Sequence, residues 1–436
     1  MKKVLFISYY WPPSGKASIH WPLKIIKHLP NFGWLPVVLT VEEDTFSQKD
    51  ETLTHEIHEE VNVYRAKTYE PFNLYKKFTG KEKDEQLIAS ETISTTNNPP
   101  RRIAHRLSIW IRMNLFIPDA RIGWYFPAVK KGLDILKNEK IDAVVSVGPP
   151  HTTHLIGKKI STQYRIPHLP VFIDPWVDIS YYRDFKRNKL TLKIDNHLEK
   201  SVLKNAAAVI FITETMKKDY EKKYPFMQQK SRVLYWGYSE EDFNLSPDQL
   251  SREGITQNSD KKSGEKVLVH AGNIFSYQNP LKFWRQIKNE IDSGSKIKLK
   301  FIGTVDPAIK KSITEAGLDK FIEYAGFLPY KIMIEEICAA DFLLVCATEP
   351  RHVPGKLFEY LRTGRPIIAF GDANEEVKEI IEGANAGIMF DYNDSGKEFF
   401  SSYSSLKTNV NSISRFERKF ISSKMGEILD SLYSQD

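Results

Sequence analysis

Short apolar runs alternate with longer amphipathic segments along most of the chain. Strands buried on both faces appear in a sequence as continuous apolar runs, whereas helices that cover a sheet repeat their apolar side chains about every three to four positions. The strands predicted in the first half are Val4–Ser8, Val37–Val41, Val61–Tyr64, Ala143–Val147, Val171–Asp174, Ala208–Ile212 and Arg232–Tyr235. The helices predicted between them are Trp21–Leu29, Phe126–Asn138, His151–Tyr164 and Leu190–Asn205. This order predicts a parallel sheet covered by helices.

The same alternation starts again after a polar segment, Ser246–Glu265, which we interpret as a linker or surface loop. The strands predicted in the second half are Lys266–Ala271, Lys298–Ile302, Ile322–Ala325, Phe342–Cys346, Pro366–Ala369 and Gly387–Phe390. A terminal helix is predicted at Ile413–Tyr433, and the polar segment Glu70–Pro100 is predicted to be a loop or insertion. The two blocks predict an α/β protein with two Rossmann-like, doubly wound parallel-sheet domains, divided near residue 240.

The length and the apolar content limit where the protein is expected to work. The chain has 436 residues, more than a single hydrophobic core usually serves. Its two cysteines, Cys338 and Cys346, lie in apolar stretches and are expected to be buried thiols rather than a disulfide or a metal site. The run Val4–Ile7 is too short for a signal peptide, and no run approaches the roughly 18 apolar residues of a membrane span. We therefore expect a cytoplasmic protein that at most touches the inner face of the cell membrane.

A basic segment, 101–131, carries most of the net charge. It holds seven cations and one acid, Asp119, a balance of +6 in a chain whose total is +7. This excess favours an anionic partner such as a membrane surface or a phosphorylated substrate, and a solvated basic face is the alternative. A helical stripe of apolar side chains in the same segment is suited to peripheral membrane contact or, alternatively, to ordinary packing. The stripe consists of Ile103, Leu107, Trp110, Ile111 and Leu115.

Open α/β sheets bind ligands at the carboxyl ends of their strands, beside the N-termini of the following helices. The segment Tyr9–Ser18 follows the first strand and contains Gly15 and Lys16. These two residues are suited to present a backbone N–H and an ammonium group to a phosphate or a sugar hydroxyl, and a simple turn is the alternative. The segment lacks a G-x-G-x-x-G fingerprint, which argues against a dehydrogenase.

Two other strand ends in the first half carry candidate catalytic residues. His151 follows the strand Ala143–Val147, where an imidazole is placed to orient an acceptor hydroxyl or to act as a base. Asp174 ends a buried strand and is placed to accept the proton of an attacking hydroxyl or to hold the donor sugar, with an N-cap as the alternative. We expect His154 to pack or cap, and Asp178 to cap.

The strand ends of the second half carry glycines. Gly272 follows the first strand of this half and Gly303 follows the second, and a glycine at such a position lets a ligand approach the backbone closely. The turn Gly326–Pro329 is suited to form a wall against which a base packs. Such turns occur in many folds, so this turn alone indicates little.

The stretch Val353–Pro366 is more informative. Pro354 and Gly355 suit the start of a helix. Lys356 then lies in the first helical turn, and Glu359 lies on the same face three residues later. A sugar nucleotide needs a cation at its diphosphate, whose charge grows as the glycosidic bond breaks, and a carboxylate at its ribose. An exposed ion pair along the helix is the alternative.

In the order of these motifs the chain resembles the family 4 type of retaining GT-B glycosyltransferases, and especially bacterial members that build surface polysaccharides or lipopolysaccharide. The resemblance rests on Tyr9–Gly15, Ser146–Ile156, Phe172–Ile179, His270–Asn273, Gly326–Pro329, Pro354–Tyr360 and Gly364–Ile368. It implies two domains that face a cleft: an acceptor-binding domain (1–240, with a final helix, 413–436, crossing back to it) and a donor-binding domain (241–412). It also implies a nucleoside-diphosphate sugar as donor substrate, a glycan or lipid-linked acceptor, and neither a metal nor another cofactor.

By the same resemblance Glu359 holds the ribose and Lys356 faces the diphosphate. The residues expected to bind the donor are Gly272, Asn273, Gln278, Phe327, Leu328, Arg351, Pro354, Gly355, Lys356, Leu357 and Glu359. His151 and Asp174 lie in the acceptor-side motifs, and Gly15 and Lys16 lie in the opening loop.

The chain departs from the family pattern at several positions. Relatives carry two acids eight positions apart, but Arg351 stands eight residues before Glu359. Gln278 stands where relatives carry an arginine, and Trp236-Gly237 stands where they have Asn-Gly. We expect Arg351 to replace part of the missing positive charge.

These departures leave two functional hypotheses. One is an active, metal-independent glycosyltransferase that acts on a membrane-linked acceptor. The other is a GT-B protein that has lost catalysis and serves as a binding or scaffold protein in polysaccharide assembly. A nucleic-acid binder rests on charge alone, so nucleic acid is not an expected partner.

Overall fold

The computed structural model of the chain describes residues 1–46, 49–69, 110–111, 113–178, 187–243 and 264–433. The predicted loop Glu70–Pro100 and residues 246–263 of the predicted linker lie outside these ranges. Ile103 and Leu107 of the apolar stripe also lie outside them, as do four arginines of the basic segment.

Among the described residues, the first sheet has seven parallel strands in the order β3-β2-β1-β4-β5-β6-β7. The strands are β1 (Lys2–Ser8), β2 (Trp34–Val41), β3 (Asn62–Ala66), β4 (Ala143–Gly148), β5 (His168–Phe172), β6 (Val209–Phe211) and β7 (Ser231–Val233). In register, Val4 of β1 lies between Pro36 of β2 and Ala143 of β4. The strand order reverses at β1 and β4, where a doubly wound sheet places its ligands.

The second sheet repeats this topology with six described strands in the order β10-β9-β8-β11-β12-β13, again all parallel. The strands are β8 (Glu265–Ala271), β9 (Lys296–Ile302), β10 (Ile322–Gly326), β11 (Phe342–Cys346), β12 (Ile367–Phe370) and β13 (Gly387–Phe390). The strand order reverses at β8 and β11. Every strand predicted from the apolar runs is therefore present, and two parallel-sheet, Rossmann-like domains are confirmed. The predicted bounds of one strand were wrong: β5 ends at Phe172, where its partner β4 ends at Gly148, so Asp174 lies two residues beyond the strand.

Helices connect the strands and cover the sheets. In the first half they are α1 (His20–His28), α2 (Tyr125–Asn138), α3 (Thr152–Tyr164), α4 (Lys189–Asn205) and α5 (Glu214–Lys223). In the second half they are α6 (Leu281–Asp292), α7 (Pro307–Glu315), α8 (Tyr330–Ala339), α9 (Lys356–Thr363), α10 (Glu375–Gly383), α11 (Lys397–Ser402), α12 (Val410–Ile413) and α13 (Arg418–Tyr433). No helix among these is long and apolar enough to cross a membrane.

The terminal helix differs from its prediction. It begins at Arg418 rather than at Ile413, which ends the separate short helix α12. Glu417 has extended backbone angles and forms an isolated parallel bridge with Tyr238. The amide of Tyr238 donates to the carbonyl of Phe416, and the amide of Arg418 donates to the carbonyl of Tyr238. This pairing between distant segments ends the local helical pattern, which the sequence around Ile413 does not reveal.

The chain divides into two compact units. Unit 1 consists of Met1–Tyr235 and Ile421–Asp436, and unit 2 consists of Trp236–Phe420. The first division follows Tyr235, slightly before the predicted position near 240. The return to unit 1 begins at Ile421 rather than at 413. Each unit has its own buried core, built around residues such as Leu39 and Val144 in unit 1 and Phe283 and Phe301 in unit 2.

Candidate functional site

Two glycines shape the carboxyl edge of the sheet in unit 2. Gly272 follows β8 with φ +109°, and Gly303 follows β9 with φ +106°, which side chains other than glycine rarely adopt. A Cβ atom at Gly303 would lie 2.8 Å from the carbonyl carbon of Gly272. A Cβ atom at Gly272 would lie 2.9 Å from Nζ of Lys356. The strand ends and the first residue of α9 therefore meet in a space that only glycine leaves open.

Lys356 is held by a histidine at the end of β8. Its Nζ lies 3.0 Å from Nε2 of His270, and Nδ1 of the same ring lies 3.0 Å from the carbonyl oxygen of Leu344. A carbonyl oxygen only accepts hydrogen bonds, so Nδ1 carries the ring proton and Nε2 accepts from the ammonium group. One of the three N–H groups of Lys356 is thus used to orient it, which leaves two for a ligand. The sequence interpretation assigned His270 no role, because it lies 86 positions from Lys356.

Burial changes the protonation of this pair. Desolvation lowers the pKa of Lys356 to about 8. Desolvation and the charge of Lys356 hold the pKa of His270 well below its ordinary value, so its ring is neutral. His352 lies nearby, and burial together with the Lys356 charge lowers its pKa to about 4. In the part of the chain that the structure describes, this edge therefore combines the titratable cation Lys356 with two neutral imidazoles, which suits an anionic ligand.

The start of α9 is packed so that this lysine is positioned. The amide of Leu357 donates to the carbonyl of Pro354 at 2.9 Å, and both residues are buried. A Cβ atom at Gly355 would lie 2.8 Å from the indole nitrogen of Trp236, so the indole packs directly on this glycine. The hydroxyl of Tyr360 accepts from the amide of Ala271 at 2.7 Å and fastens α9 to the end of β8.

Glu359 lies on the same helix and is almost completely buried. The hydroxyl of Tyr330, at the start of α8, donates to its Oε1 at 2.8 Å. Desolvation raises the pKa of Glu359, while the charge of the buried Arg418 opposes that rise. Lys356 and Glu359 also attract each other electrostatically, so the structure brings the two predicted residues together. Tyr330 and Arg418 were not predicted, because they come from segments far from Glu359 in sequence.

Gln278 and Asn273 use their side chains on the protein backbone. Oε1 of Gln278 accepts from the amide of Phe275 at 3.0 Å, and its Nε2 donates to the carbonyl of Cys346 at 2.5 Å. Oδ1 of Asn273 accepts from the amide of Thr304 at 3.0 Å. The side-chain amides of Gln278 and Asn273 thus stabilise the loop after β8. Their contact with the donor stays a prediction.

The remaining predicted donor residues border the same edge. Nε of Arg351 lies 4.0 Å from Oε2 of Glu349, the acid that is displaced from the family position. Phe327 follows β10 and is 73% exposed, and Leu328 beside it is half-buried. An exposed ring at this edge is suited to stack on a nucleotide base. Among the described residues, no group of three His, Cys, Asp or Glu side chains is placed to hold a metal ion.

The carboxyl edge of unit 1 is built from stacked rings. His151 precedes α3, and its ring lies parallel to the indole of Trp176, with centroids 5.0 Å apart and planes 4° apart. His154 stacks on Phe172 at 4.6 Å, and its Nδ1 lies 2.9 Å from the hydroxyl oxygen of Ser146. Both histidines are buried, and desolvation lowers the pKa of His151 to about 3. His154 packs, as predicted, whereas His151 is a neutral ring in an aromatic stack.

Residues of α4 and α5 hydrogen-bond to Trp176 of this stack. Oδ1 of Asp195 accepts from the indole N–H of Trp176 at 2.6 Å. The hydroxyl of Tyr220 accepts from the amide of Trp176 at 2.9 Å and donates to Oε1 of Glu199 at 2.7 Å. These contacts hold the segment that begins with the half-buried Asp174.

Asp178, at the end of the same segment, was predicted to cap. In the structure its carboxylate pairs with the ammonium group of Lys223 at 2.8 Å. The residues that it was expected to cap, from 179 to 186, lie outside the described ranges.

The opening loop and the basic segment approach each other in unit 1. Asp119 accepts from the amide and the hydroxyl of Thr152, both at 2.9 Å, and thereby caps the start of α3. Burial and the charge of Arg121 lower the pKa of Lys16, so these two cations are neighbours. Gly15 is half-buried and Lys16 is exposed. The described part of the basic segment thus contributes a cation to this edge.

Comparison with known proteins decides the family. Residues 265–409 match a family model described as glycosyl transferases group 1, and residues 88–242 match one described as glycosyltransferase family 4. The chain belongs to the family 4 type of GT-B glycosyltransferases. The two matches cover the glycine edge with Lys356 in unit 2 and the ring stack with Trp176 in unit 1. This glycosyltransferase has no significant match among curated protein sequences.

Solved structures agree with this fold along the whole glycosyltransferase chain. Sucrose-phosphate synthase from Thermosynechococcus elongatus superposes with a TM-score of 0.62 at 12% identity, covering 100% of both chains. HepE from Anabaena, in complex with UDP and glucose, has a TM-score of 0.62 at 13% identity and covers 99% of this chain and 100% of its own. The lipopolysaccharide outer core galactosyltransferase WaaB has a TM-score of 0.54 at 13% identity and covers 98% and 99%.

Proposed function

We propose that this glycosyltransferase retains the configuration of the sugar that it transfers from a nucleoside-diphosphate sugar to a glycan or lipid-linked acceptor. The proposed setting is bacterial surface polysaccharide synthesis. This is supported by the resemblance of its motifs to such enzymes and by the fold shared with WaaB. Unit 2 is proposed to bind the donor and unit 1 the acceptor.

The observation that carries the donor assignment is the contact between Lys356 and His270 beside Gly272. The negative charge on the diphosphate grows while the glycosidic bond breaks, and an oriented ammonium group stabilises that charge without having to reorganise. The two N–H groups of Lys356 that do not donate to His270 are proposed to bind phosphate oxygens. We propose that Lys356 and Arg351 supply this charge in place of a metal ion.

Glu359 is proposed to accept the ribose hydroxyls. Its carboxylate is already oriented by the Tyr330 hydroxyl at 2.8 Å, which lowers the cost of ordering it when a ligand binds. HepE binds UDP and glucose on the same fold, which supports a nucleotide at this edge. Phe327, at the same edge, is proposed to pack against the base.

The acceptor side is proposed to use His151 and Asp174. The low pKa of His151 means that it acts as a neutral hydrogen-bonding ring, suited to orient a sugar hydroxyl. Asp174 is proposed to take the proton of the attacking hydroxyl or to hold the donor sugar. The alternative function is that of a scaffold protein, which binds a nucleotide sugar but does not transfer its sugar.

The first test is a thermal-shift screen of nucleoside diphosphates, followed by titration of the best ligand into wild type and Glu359→Ala. A ligand at about 100 times its dissociation constant should stabilise the protein by roughly 2.7 kcal/mol. Glu359→Ala is expected to weaken binding by about 100-fold, because two charge-assisted hydrogen bonds to the ribose are lost. The matched control is Glu379→Ala, an exposed glutamate of α10.

Near-normal affinity in Glu359→Ala would remove the ribose assignment. Binding of no nucleoside diphosphate by the wild type would contradict the donor site itself. Tight binding of a nucleotide sugar, with neither hydrolysis nor transfer to any glycan acceptor, would favour the scaffold. Activity in the presence of excess EDTA is expected if Lys356 and Arg351 supply the positive charge.

A further inference from the structure

Helix α4 of unit 1 separates its charges completely between two faces. Its two acids, Asp195 and Glu199, are buried and hold the Trp176 segment. Both are balanced by neighbours: Asp195 pairs with Arg187, and Glu199 pairs with Lys223. The exposed face of the helix carries no acid.

That outer face is a row of lysines with two exposed apolar side chains beside it. Its cations are Lys189, Lys193, Lys200 and Lys204, all exposed. Spacings of four, seven and four residues place them along one side of the helix. They span about 22 Å at 1.5 Å per residue. Leu190 and Ile194 lie on the same side and are 68% and 39% exposed, although leucine and isoleucine are normally buried.

The positive surface continues past the end of α4 into a pocket of about 750 Å³. Lys204, Lys230 and Arg232 line it, together with the half-exposed ring of Phe226, and none of its lining residues is acidic. The ammonium group of Lys230 donates to the carbonyls of Leu203 and Ala206 at the end of α4, which fixes that charge at the wall of the pocket. We call this pocket and the outer face of α4 together the lysine face.

The neighbouring helices show that this pattern is not a general feature of the surface. Helix α3 adds Lys158 and Lys159, and Lys158 donates to the hydroxyl of Ser201 in α4. Helix α5 also has four lysines, but it carries three acids among them, and Lys223 points inward to Glu199. Of the helices α3, α4 and α5, only α4 combines an acid-free row of exposed lysines with exposed leucine and isoleucine side chains.

We propose that the lysine face docks this protein on the surface of a lipid bilayer that contains anionic phospholipids. Lysines just outside a bilayer are attracted by its negative surface potential, and the leucine and isoleucine beside them insert at the boundary of the acyl chains. A nucleic acid or an acidic protein would satisfy the lysines but would leave Leu190 and Ile194 in water. The two apolar side chains therefore decide in favour of the bilayer.

Docking on this face would have a direct consequence for the proposed acceptor site. The same helix that carries the lysines outward holds Trp176 inward through Asp195. Docking would therefore hold the proposed acceptor site on the inner side of the helix whose outer face lies on the bilayer. This link to the acceptor rests on the proposed function, whereas docking itself does not.

The test is co-sedimentation of the full chain with vesicles of phosphatidylcholine alone, or with about one third phosphatidylglycerol, at about 0.1 M salt, where the Debye length is about 10 Å. Wild type should prefer the anionic vesicles and lose most of this preference at high salt. Lys193→Gln/Lys200→Gln/Lys204→Gln should lower the partition coefficient by about 100-fold, since each lysine near the surface contributes roughly fivefold. Leu190→Ser/Ile194→Ser should lower it by about tenfold.

The matched control is Lys282→Gln/Lys320→Gln/Lys378→Gln, which removes three exposed lysines of unit 2. It should bind vesicles nearly as wild type does. All variants should keep the thermal midpoint and the nucleotide affinity of the wild type, so a failed docking proposal would be distinguishable from a failed donor site.

Three results would overturn the proposal. The first is equal binding of wild type to neutral and anionic vesicles, or no binding to either. The second is an equal loss in the α4 and control triple variants, which would show that net charge alone is at work. The third is no effect of Leu190→Ser/Ile194→Ser together with lysine-dependent binding to heparin or RNA, which would assign the lysine face to a soluble polyanion.

Discussion

The carboxyl edges of the two sheets are built on the same topology but for opposite kinds of chemistry. In unit 2, glycines clear a space around Lys356, and neutral His270 orients its ammonium group. In unit 1, His151 is stacked on Trp176, and the nearby acids Asp195 and Glu199 lie behind that stack. The edge of unit 2 is built around the cation Lys356, whereas the edge of unit 1 is built on a stack of buried rings, with the cations Lys16 and Arg121 beside each other in the opening loop and the basic segment.

The difference agrees with the proposed roles, in which unit 2 binds the donor and unit 1 binds the acceptor. A diphosphate needs a fixed cation, and Lys356 at the edge of unit 2 stays mostly charged near neutral pH, because burial lowers its pKa only to about 8. A glycan acceptor is largely neutral and is recognised mainly by hydrogen bonds, and the buried stack in unit 1 packs beneath the segment that carries the half-buried Asp174. The predictions below test whether the two edges differ in this way.

The largest effect is expected from Lys356→Met, which keeps the length of the side chain but removes its charge. Nucleoside diphosphate affinity should fall by about 100-fold, because two charge-assisted hydrogen bonds to phosphate are lost. Calorimetric titration measures this change. His151→Ala should stay within about threefold of wild type in the same titration, and a comparable loss in both variants would erase the distinction between the edges.

A smaller effect is expected on the acid stability of unit 1. His168 is buried beside Ser146, and burial lowers its pKa to about 3. Below pH of about 6.5 the unfolded histidine binds a proton that the folded one does not, so stability falls by about 1.4 kcal/mol per pH unit as the pH decreases toward 3.

His168→Gln should remove that contribution, about 2 kcal/mol at pH 5 relative to pH 7. Urea unfolding of wild type and variant at both pH values measures it. An identical pH dependence in the two proteins would show that His168 is not held neutral.

The smallest effect concerns the pH dependence of donor binding. The pKa of Lys356 is about 8 in the free protein, so raising the pH from 7 to 9 removes most of its charge. Nucleotide affinity should fall by about tenfold over this range. Lys356→Arg should bind independently of pH there, since arginine stays charged. A fall of the same size in Lys356→Arg would assign the titration to another group.

Much of this architecture follows from local sequence. The apolar runs predicted each strand because strands buried on both faces need continuous apolar residues. Lys356 and Glu359 were predicted to share a helix face because three residues make nearly one turn. The predicted start of the terminal helix was wrong. The helix α13 begins at Arg418 because the residue before it, Glu417, pairs with Tyr238, which lies far away in sequence.

The sequence by itself determined the fold class, the two-unit organisation and the position of Lys356 in the first turn of a helix, since periodicity and helix-start signals are local features. Only the tertiary structure decided that His270 orients Lys356, that Tyr330 orients Glu359 and that His151 is a neutral ring on Trp176. The physical reason is that a parallel sheet brings all its strand ends to one edge, but the order of the strands sets which side chains meet there. The lowered pKa values of Lys356, His270 and His151 then follow from the burial of these side chains at the two edges.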